Sequence, residues 1–458
     1  MTMAMNPALF KAYDVRGLVP EEWGPAEAEQ IGHAIPPVLG VGQVCVGRDM
    51  RVSSPEIAAA LIRGITAAGA DVVDIGVVSS DALYFSVGKY GYESGVMVTA
   101  SHNPAGYNGV KMCRANAIPV SDESGLLAIR DMVVSGNFPP ATQTGSVTER
   151  KVLDDFAAHC LAFIDPASIR PLKLVVDAGN GMAGKVLPRV FSKLPQVTLV
   201  PMYFDLDGTF PHHDANPLEQ ENIADLKARV IAEKANLGAA FDGDADRMFL
   251  VTEHGEFVGG DMTTALVAAA LLRHYPGAAV VYNLICSRGV PEAIEQAGGR
   301  PIRARVGHSF IKQVMREQDA IFGGEHSGHF YFRDNWYADS GLIALLSALD
   351  ALSVENVPLS EALAPLDRRA RSGEINSEVR DVRATEQKIE AHYHAQPGAR
   401  LDHLDGLTVN FPDWWFNVRP SNTQPLLRLN IETDTPALLD QKKREVMKLI
   451  RSDEPMYE

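Results

Sequence analysis

The stretch VMVTASHNPAGYNGVKM, residues 96–112, decides how the first part of this chain folds and where its chemistry lies. Residues 96–98 have the apolar character of a buried strand, but the run stops at once in small polar residues closed by Pro104. A serine in such a position is most often a turn or helix-cap residue. Ser101, however, is followed by hydrogen-bonding side chains, and a positive charge returns at Lys111. A serine that carries a phosphoryl group needs donors of this kind, so Ser101 is a candidate nucleophile.

The same alternation of strand and helix patterns continues outward from this stretch. Short apolar strands and amphipathic helices precede it, the rhythm resumes after about residue 150, and a third round begins near 254. From about residue 370 the pattern changes to antiparallel strands with helices on one side. The sequence therefore predicts an α/β protein with three similar α/β domains followed by an α+β domain, at residues 1–149, 150–252, 253–366 and 367–458.

Length and composition indicate a folded protein of several domains. Of the 458 residues, 46% are hydrophobic and 22% are charged. The net charge, 42 basic minus 58 acidic residues or −16, repels nucleic acid and anionic membranes. No apolar run is long enough to span a bilayer, no signal-peptide pattern is present, and the four cysteines are widely spaced. We expect a cytoplasmic protein with reduced core cysteines and with neither nucleic-acid nor membrane partners.

The clearest metal motif is FDGDADR, residues 241–247. Asp242, Asp244 and Asp246 can converge on one hard cation if the backbone curves as a loop, and their oxygen ligands suit Mg²⁺. The motif could also be a solvated hairpin turn. A calcium-binding EF-hand loop fits poorly, because Arg247 stands where that loop needs glycine and the flanking residues have strand character. The motif therefore predicts a Mg²⁺ site between two strands.

Two further motifs point to other enzyme classes. The run VVDAGNGMAG has the G-x-G-x-x-G spacing of dinucleotide-binding folds at Gly179, Gly181 and Gly184. The stretch FDLDGT resembles the nucleophile motif of haloacid-dehalogenase-type phosphotransferases, with Asp205 as the nucleophile. An NAD-linked oxidoreductase leaves the aspartate triplet unexplained, and the dehalogenase motif usually opens its catalytic domain. Tight turns explain both stretches, and both enzyme classes stay open as alternatives.

Two later loops are suited to a sugar and a phosphate. In GGEHSGHF, residues 323–330, Glu325 and Ser327 can hold paired sugar hydroxyls, because one group accepts a hydrogen bond where the other can donate. In FNVRPSNTQP, residues 416–425, an arginine fork precedes short hydroxyl and amide side chains on a proline-flanked turn, which suits a phosphate. Taken alone, the first stretch would be a polar loop and the second an exposed turn.

Single basic residues elsewhere are weaker candidates. Arg16 could face a cleft or solvent, and Arg288 and His308 stand in loops after predicted strands. A single histidine on an apolar background is more often structural than catalytic. Each of these residues needs support from the other motifs.

Taken together and in this order, TASHNP, DGDADR, GEHSGH and RPSNTQP resemble the α-D-phosphohexomutase family, most closely its bacterial phosphomannomutase/phosphoglucomutase branch. The resemblance covers essentially the whole chain, and four ordered motifs are far more specific than any one of them. It implies three topologically related α/β domains and a fourth domain like the TATA-binding-protein fold, around a central cleft. It also implies Mg²⁺, hexose 1,6-bisphosphate as activator and sugar phosphates as substrates, in a monomer or small homo-oligomer.

The resemblance gives each motif a role. It implies that Ser101 is the phosphoserine and completes the metal site, and that Arg247 lies close to it. Lys111 and His308 correspond to candidates for proton transfer. The other implied site residues are the metal ligands Asp242, Asp244 and Asp246, the substrate-binding residues Arg16, Arg288, Glu325, Ser327 and His329, and the distal phosphate site at Arg419, Ser421, Asn422 and Thr423.

The chain departs from the family pattern at several positions. In the phosphate loop, Pro420 stiffens the turn and removes an amide donor, and Gln424 replaces a glutamate. His326 replaces a methionine frequent in this branch, and Ile285 stands where some relatives have a phosphate-binding lysine. Since mannose and glucose share the hydroxyls that Glu325 can contact, the preferred sugar stays open.

The expected reaction is the reversible interconversion of hexose 6-phosphate and hexose 1-phosphate. Phospho-Ser101 would give its phosphoryl group to the free hydroxyl, the bisphosphosugar would turn end for end, and its other phosphate would return to the serine. Phosphoglucosamine mutase of the same family, a dehalogenase-type phosphotransferase acting through Asp205, and a non-enzymatic sugar-phosphate binding protein are the alternatives.

Overall fold

Strands and helices alternate along the chain as the sequence predicts. A computed structural model describes residues 5–420 and 426–451. Within these residues the strands form four sheets. The helices are α1 (Pro25–Leu39), α2 (Ser54–Ala67), α3 (Ser80–Tyr90), α4 (Leu127–Ser135), α5 (Leu153–Leu161), α6 (Ala183–Phe191), α7 (Ala224–Glu233), α8 (Gly260–Leu272), α9 (Gly289–Gln296), α10 (His308–Gln318), α11 (Gly341–Glu355), α12 (Leu359–Leu363), α13 (Val382–His394) and α14 (Pro436–Ile450).

The first sheet carries the stretch around Ser101. Its strands are β1 (Asp14–Leu18), β2 (Gln43–Arg48), β3 (Asp71–Val77), β4 (Ser94–Val98), β5 (Tyr107–Arg114), β6 (Ile118–Pro119) and β7 (Val147–Glu149). The parallel strands lie in the order β4-β2-β3-β7, so β4, which is the third of the parallel strands along the chain, lies beside β2, which is the first. β5 pairs antiparallel with β4, and β1 pairs antiparallel with β5.

The second and third sheets repeat this order. The second contains β8 (Leu172–Asp177), β9 (Val197–Met202), β10 (Leu237–Phe241), β11 (Met248–Thr252) and β12 (Phe257–Val258). The third contains β13 (Ala279–Asn283), β14 (Arg300–Ala304), β15 (Phe322–Gly324), β16 (Phe330–Phe332) and β17 (Ala338–Asp339). The parallel orders are β10-β8-β9 and β15-β13-β14, with an antiparallel strand, β11 or β16, beside the third parallel strand.

This shared topology places three predicted motifs at equivalent positions. The Ser101 loop joins β4 to β5, the aspartate triplet lies between β10 and β11, and the loop of Glu325 and Ser327 lies between β15 and β16. Each loop therefore begins at the carboxyl end of the third parallel strand, where ligands bind in α/β sheets. The prediction of three similar α/β units is confirmed.

The fourth sheet is antiparallel throughout. It is built from β18 (Ala370–Glu378), β22 (Leu426–Thr433), β21 (Trp414–Pro420), β20 (Leu407–Asn410) and β19 (Arg400–Asp402), in that spatial order. Ile389 and Tyr393 of α13 and Val446 and Ile450 of α14 pack in one buried cluster with residues of this sheet. The predicted α+β architecture of the last part of the chain is thus confirmed.

The buried residues agree with the composition. The four cysteines are free and buried, as the sequence predicts. Among the described residues, no helix combines the length and apolar character needed to cross a bilayer. The domain boundaries stay predictions; β12 pairs with β11, so the second sheet continues beyond the predicted boundary at residue 252.

Candidate active site

Ser101 is fully buried at the contact between two loops from different sheets. Its Oγ donates to Oδ2 of Asp242 at 2.8 Å and lies 3.3 Å from Nδ1 of His102. Its backbone has φ of 51°, a left-handed conformation that is uncommon for serine. The strand pattern ends here because the chain turns toward the second sheet and presents its hydroxyl to a carboxylate.

Arg51 holds this loop in place, although no sequence motif marks it as a site residue. Its side chain is inaccessible to solvent and pairs with Asp49 at 3.3 Å. The guanidinium donates to the main-chain carbonyls of Ser101 at 2.9 Å, Asn103 at 2.5 Å, Pro104 at 2.8 Å and Tyr107 at 2.9 Å. Main-chain acceptors leave no residue signature, so only the buried-arginine geometry shows this role.

We expect Arg51→Lys to fold but to lower kcat by about 10²-fold, because a single ammonium cannot reach four carbonyls and a small misplacement of a reacting group costs about this much. Steady-state rates with thermal unfolding would measure both effects. Arg63→Lys, on an exposed arginine paired with Glu29, serves as the control. A kcat equal to wild type in a folded Arg51→Lys enzyme would contradict the assigned role.

The aspartate triplet lies in the loop between β10 and β11, and all three carboxylates are buried. Each offers an oxygen within 4.8 Å of the other two. Gly243 permits the close approach to the serine loop, because a Cβ there would lie 2.5 Å from the main-chain oxygen of Ser101. The flanking elements are strands, so the EF-hand alternative is excluded.

The charges of the triplet fit a cation. Burial, Asp246 and Asp244 raise the pKa of Asp242 well above its usual value. Lys111 donates to Asp244 at 2.7 Å and to Asp246 at 2.6 Å, and these carboxylates outweigh burial and raise the pKa of its ammonium group well above normal. Oδ1 of Asp244 and Oδ1 of Asp246 are buried without a hydrogen-bond partner in the described residues. Three convergent buried carboxylates, two of which have an unused oxygen, can bind a metal ion.

Arg247 connects the triplet to the third sheet. Its backbone N–H donates to Oδ1 of Asp242 at 3.2 Å, and its Nε lies 3.6 Å from Oδ2 of the same carboxylate. The same Nε donates to Nε2 of His329 at 3.0 Å. The Ser101 loop, the aspartate-triplet loop and the loop of Glu325 and Ser327 therefore meet through their side chains.

The Glu325 carboxylate is buried and oriented by several donors. Oε1 accepts from the backbone N–H of Gly307 at 3.2 Å, and Oε2 accepts from Tyr331 Oη at 2.5 Å. Ser327, two residues further along this loop, is partly exposed. His308, at the start of α10, packs edge-on against Tyr13 with ring centroids 4.7 Å apart. Burial, followed by Lys312, holds the pKa of His308 well below its usual value, so its imidazole is neutral.

Three predicted arginines have partners within the protein. Arg16 pairs with Asp14 and donates to Asn103 Oδ1 at 2.7 Å, which places it beside the serine loop. The guanidinium of Arg288 donates to the fourth part of the chain, including the carbonyl of Phe411 at 2.8 Å. Arg419 is buried, pairs with Glu374 and donates to Asn430 Oδ1 at 2.8 Å. The other residues of the predicted distal phosphate site, Ser421, Asn422 and Thr423, lie outside the described residues.

The stretches that suggested other enzyme classes form turns. Asp205 is exposed, and its main-chain carbonyl accepts from Asn180 Nδ2 at 2.9 Å. A Cβ at Gly184 would lie 2.2 Å from the carbonyl oxygen of Phe204, so this glycine permits close packing of α6 against the turn that follows β9. A structural need therefore explains both motifs.

Comparison with known proteins agrees with this geometry. Four phosphoglucomutase/phosphomannomutase domain families match the chain in succession: alpha/beta/alpha domain I at residues 7–138, domain II at 153–255, domain III at 259–368 and the C-terminal domain at 374–449. A protein of Xanthomonas campestris pv. campestris named "Phosphohexose mutases" is 41% identical over 450 residues, covering 98% of this chain and all of the relative. A phosphomannomutase of Escherichia coli is 39% identical over 454 residues, covering 96% of this chain and 99% of the relative.

A solved structure gives the same result. The crystal structure of a phosphoglucomutase/phosphomannomutase family protein from Burkholderia thailandensis matches with a TM-score of 0.90 and 34% identity, covering 99% of each chain. The phosphohexomutase interpretation therefore holds over the dehalogenase-type, NAD-linked and non-enzymatic alternatives. By its sequence, its domain order and its fold, the chain belongs to the phosphoglucomutase/phosphomannomutase family of phosphohexomutases.

Proposed function

We propose that this phosphohexomutase interconverts the 6- and 1-phosphates of mannose or glucose through a phosphoserine at Ser101 and a bisphosphosugar intermediate. One observation carries the proposal: Ser101 Oγ donates at 2.8 Å to a member of a fully buried aspartate triplet, which Arg247 also contacts. A hydroxyl at this point has a carboxylate acceptor and a neighbouring guanidinium. Both are groups that phosphoryl transfer requires.

We assign Mg²⁺ to Asp242, Asp244 and Asp246, with Ser101 as the further ligand. The unpartnered oxygens of Asp244 and Asp246 support this assignment, because a hard cation satisfies buried carboxylate oxygens. When bound, Mg²⁺ supplies positive charge to the transferring phosphoryl group. Lys111 adds a further charge on the side of Asp244 and Asp246.

The remaining residues hold and orient the sugar phosphate. Arg247 is placed to stabilise charge on the phosphoryl group, and the neutral imidazole of His308 can accept a proton from a sugar hydroxyl. The buried, oriented carboxylate of Glu325 is suited to sugar hydroxyls, with Ser327 beside it. Arg419 and the loop that follows it would hold the phosphate that is not reacting. Arg16, Arg288 and His329 complete the proposed substrate-binding set.

The proposal also covers the activator, the cellular location, the oligomeric state and the partners. We assign hexose 1,6-bisphosphate as the activator, since it can phosphorylate Ser101 and is also the proposed intermediate. A cytoplasmic location and a monomer or small homo-oligomer are further parts of the proposal. The acidic net charge of −16 supports the absence of a nucleic-acid partner.

The proposal is tested by rates with mannose 1-phosphate, glucose 1-phosphate and N-acetylglucosamine 1-phosphate, each with Mg²⁺ and a catalytic amount of hexose bisphosphate. Phosphorus NMR would follow the appearance of the 6-phosphate. We expect turnover of the first two sugars at rates that exceed the third by at least about tenfold, since the oriented carboxylate of Glu325 is suited to sugar hydroxyls. A strong preference for the amino sugar would overturn the assigned substrate class. Asp205→Asn should leave the rates unchanged.

A further inference from the structure

A buried ion pair behind the active site lies outside the groups proposed to bind substrate or transfer phosphoryl. The Lys312 and Asp339 side chains are 1% and 3% exposed, and Lys312 Nζ lies 2.6 Å from Oδ1 of Asp339. Lys312 Nζ also lies 4.5 Å from the ring centroid of Tyr84, a residue of α3. Burying two charges is costly, so replacing such a pair by apolar residues is often neutral or stabilising. Stability alone therefore gives a weak reason for this pair.

The second oxygen of Asp339 points toward the active site. Oδ2 accepts from Nδ1 of His329 at 2.9 Å. Although burial opposes it, Lys312 and His329 hold the pKa of Asp339 well below its usual value, so Asp339 is a carboxylate and can only accept. The hydrogen in this contact therefore belongs to Nδ1 of His329.

The state of Nδ1 decides what the other ring nitrogen can do. In a neutral imidazole with hydrogen on Nδ1, Nε2 carries a lone pair and accepts. Arg247 Nε, which can only donate, lies 3.0 Å from that nitrogen. The same Arg247 Nε lies 3.6 Å from Asp242 Oδ2, the oxygen that accepts from Ser101. A continuous series of contacts thus runs from Lys312 to the serine.

Backbone pairing alone does not explain this series. Arg247 and His329 already form an isolated antiparallel bridge, and the backbone N–H of Met248 donates to the carbonyl of Gly328 at 3.1 Å. Asp339 on β17 pairs in register with Tyr331 on β16. The main chain thus brings the residues together, and the contribution left for Asp339 is the tautomer and the orientation of the His329 ring.

We propose that Asp339, held by Lys312, is a positioning residue that keeps the hydrogen of the His329 ring on Nδ1, so that Nε2 accepts from Arg247 and directs its guanidinium toward Ser101. The kinetic part of this inference rests on the proposed function, in which Arg247 stabilises the transferring phosphoryl group. The structural part, the ring tautomer, does not.

The test uses Asp339→Asn in the full-length enzyme. An asparagine amide can donate to Nδ1. The ring hydrogen then moves to Nε2, where it faces the N–H of Arg247, as happens when the aspartate of a histidine–aspartate pair is replaced by asparagine. Proton–nitrogen NMR of ring-labelled histidine reports the tautomer directly, with the His329 signal identified from its loss in His329→Gln. We expect the Nδ1–H form in the wild type and the Nε2–H form in Asp339→Asn. We also expect kcat to fall roughly 10–100-fold, with KM within about twofold.

A matched control separates positioning from a general effect of losing a buried charge. Asp261 is also buried in the third part of the chain and pairs with Arg371 at 2.9 Å. Asp261→Asn should leave the His329 ring signal in the wild-type form. If Asp339→Asn does not fold, the double variant Lys312→Met with Asp339→Asn removes both charges together and leaves no unpaired buried charge. It is expected to show the same tautomer change and loss of kcat.

The possible outcomes all decide the inference. A wild-type ring in the Nε2–H form, an unchanged tautomer in both variants, or a changed tautomer with kcat within about twofold of wild type would overturn it. A rise in KM with unchanged kcat would assign Asp339 to ground-state binding and overturn it as well. A wild-type enzyme without mutase activity would count against the proposed function, while the ring signal would still test the tautomer.

Discussion

Ser101→Ala is expected to abolish mutase turnover, with kcat lowered by at least about 10⁴-fold, and to leave the protein folded. In the proposed reaction every phosphoryl group passes through Oγ of Ser101, and no second hydroxyl on this loop reaches Asp242 in the described residues. The loss should therefore appear in kcat and not in KM. The measurement is conversion of glucose 1-phosphate to glucose 6-phosphate. Incubation with labelled hexose bisphosphate should label the wild type and leave Ser101→Ala unlabelled.

The backbone at this position supplies controls for the fold. Ser101 has φ of 51°, which glycine adopts more easily than alanine. Ser101→Gly should therefore fold at least as well as Ser101→Ala and be equally inactive. Ser94, at the start of β4, the strand that precedes the Ser101 loop, is also fully buried and donates to the carbonyl of Cys113 at 2.8 Å. Ser94→Ala should retain activity within about twofold of wild type, since its hydroxyl is remote from the transfer. Substantial activity or labelling without the Ser101 hydroxyl would refute the phosphoserine mechanism.

Removing the divalent cation is expected to have the second largest effect. We predict that chelation lowers kcat by about 10³-fold and that added Mg²⁺ restores it, because a cation at developing phosphoryl charge contributes several kcal/mol. Asp244→Asn should cause a similar loss that Mg²⁺ does not reverse. It removes one of three convergent buried carboxylates and weakens the pair with Lys111, which lies at 2.7 Å. Activity assays with and without EDTA would measure both effects.

Metal binding itself provides a readout that does not depend on activity. Titration with Mn²⁺, followed by electron paramagnetic resonance, should show one tight site in the wild type and greatly weakened binding in Asp244→Asn. Asp177→Asn is the matched control, because Asp177 is buried in the same sheet but contacts the backbone N–H of Gly179 and the His213 ring. Equal Mn²⁺ binding in Asp244→Asn and the wild type would refute the assigned metal site.

The local sequence patterns predicted the secondary-structure elements. Hydrophobic periodicity predicted the strands before Ser101 and Asp242 and the change to antiparallel structure near residue 370, and the structure has strands and helices there. The common topology of the first three sheets was expected only from rhythm and from the family resemblance. The strand order of the three sheets shows this common topology directly. Sequence identity between the units is not needed, because equivalent strands require only equivalent hydrophobic patterns.

The candidate site was predictable where the reactive side chains lie close together along the sequence. Carboxylates alternating in a short loop and a serine with polar neighbours carry their own signature. The contacts of Arg51, of Arg288 and of the pair Lys312 and Asp339 carry none. Arg51 and Arg288 donate to main-chain carbonyls, which any residue supplies. Lys312 stands in an ordinary helix and Asp339 in an ordinary short strand, and no motif marks either residue.

By itself, the sequence determined the order of α/β and α+β units and the family, and it supplied the candidates for the residues that carry a phosphoryl group and a cation. These depend on side-chain type and on spacing within a few residues, which the chain states directly. The tertiary structure alone decided that Ser101 donates to Asp242, that Arg51 holds the serine loop, and that Asp339 faces His329. Such contacts join residues remote along the chain, and their geometry depends on how separately folded sheets pack against one another.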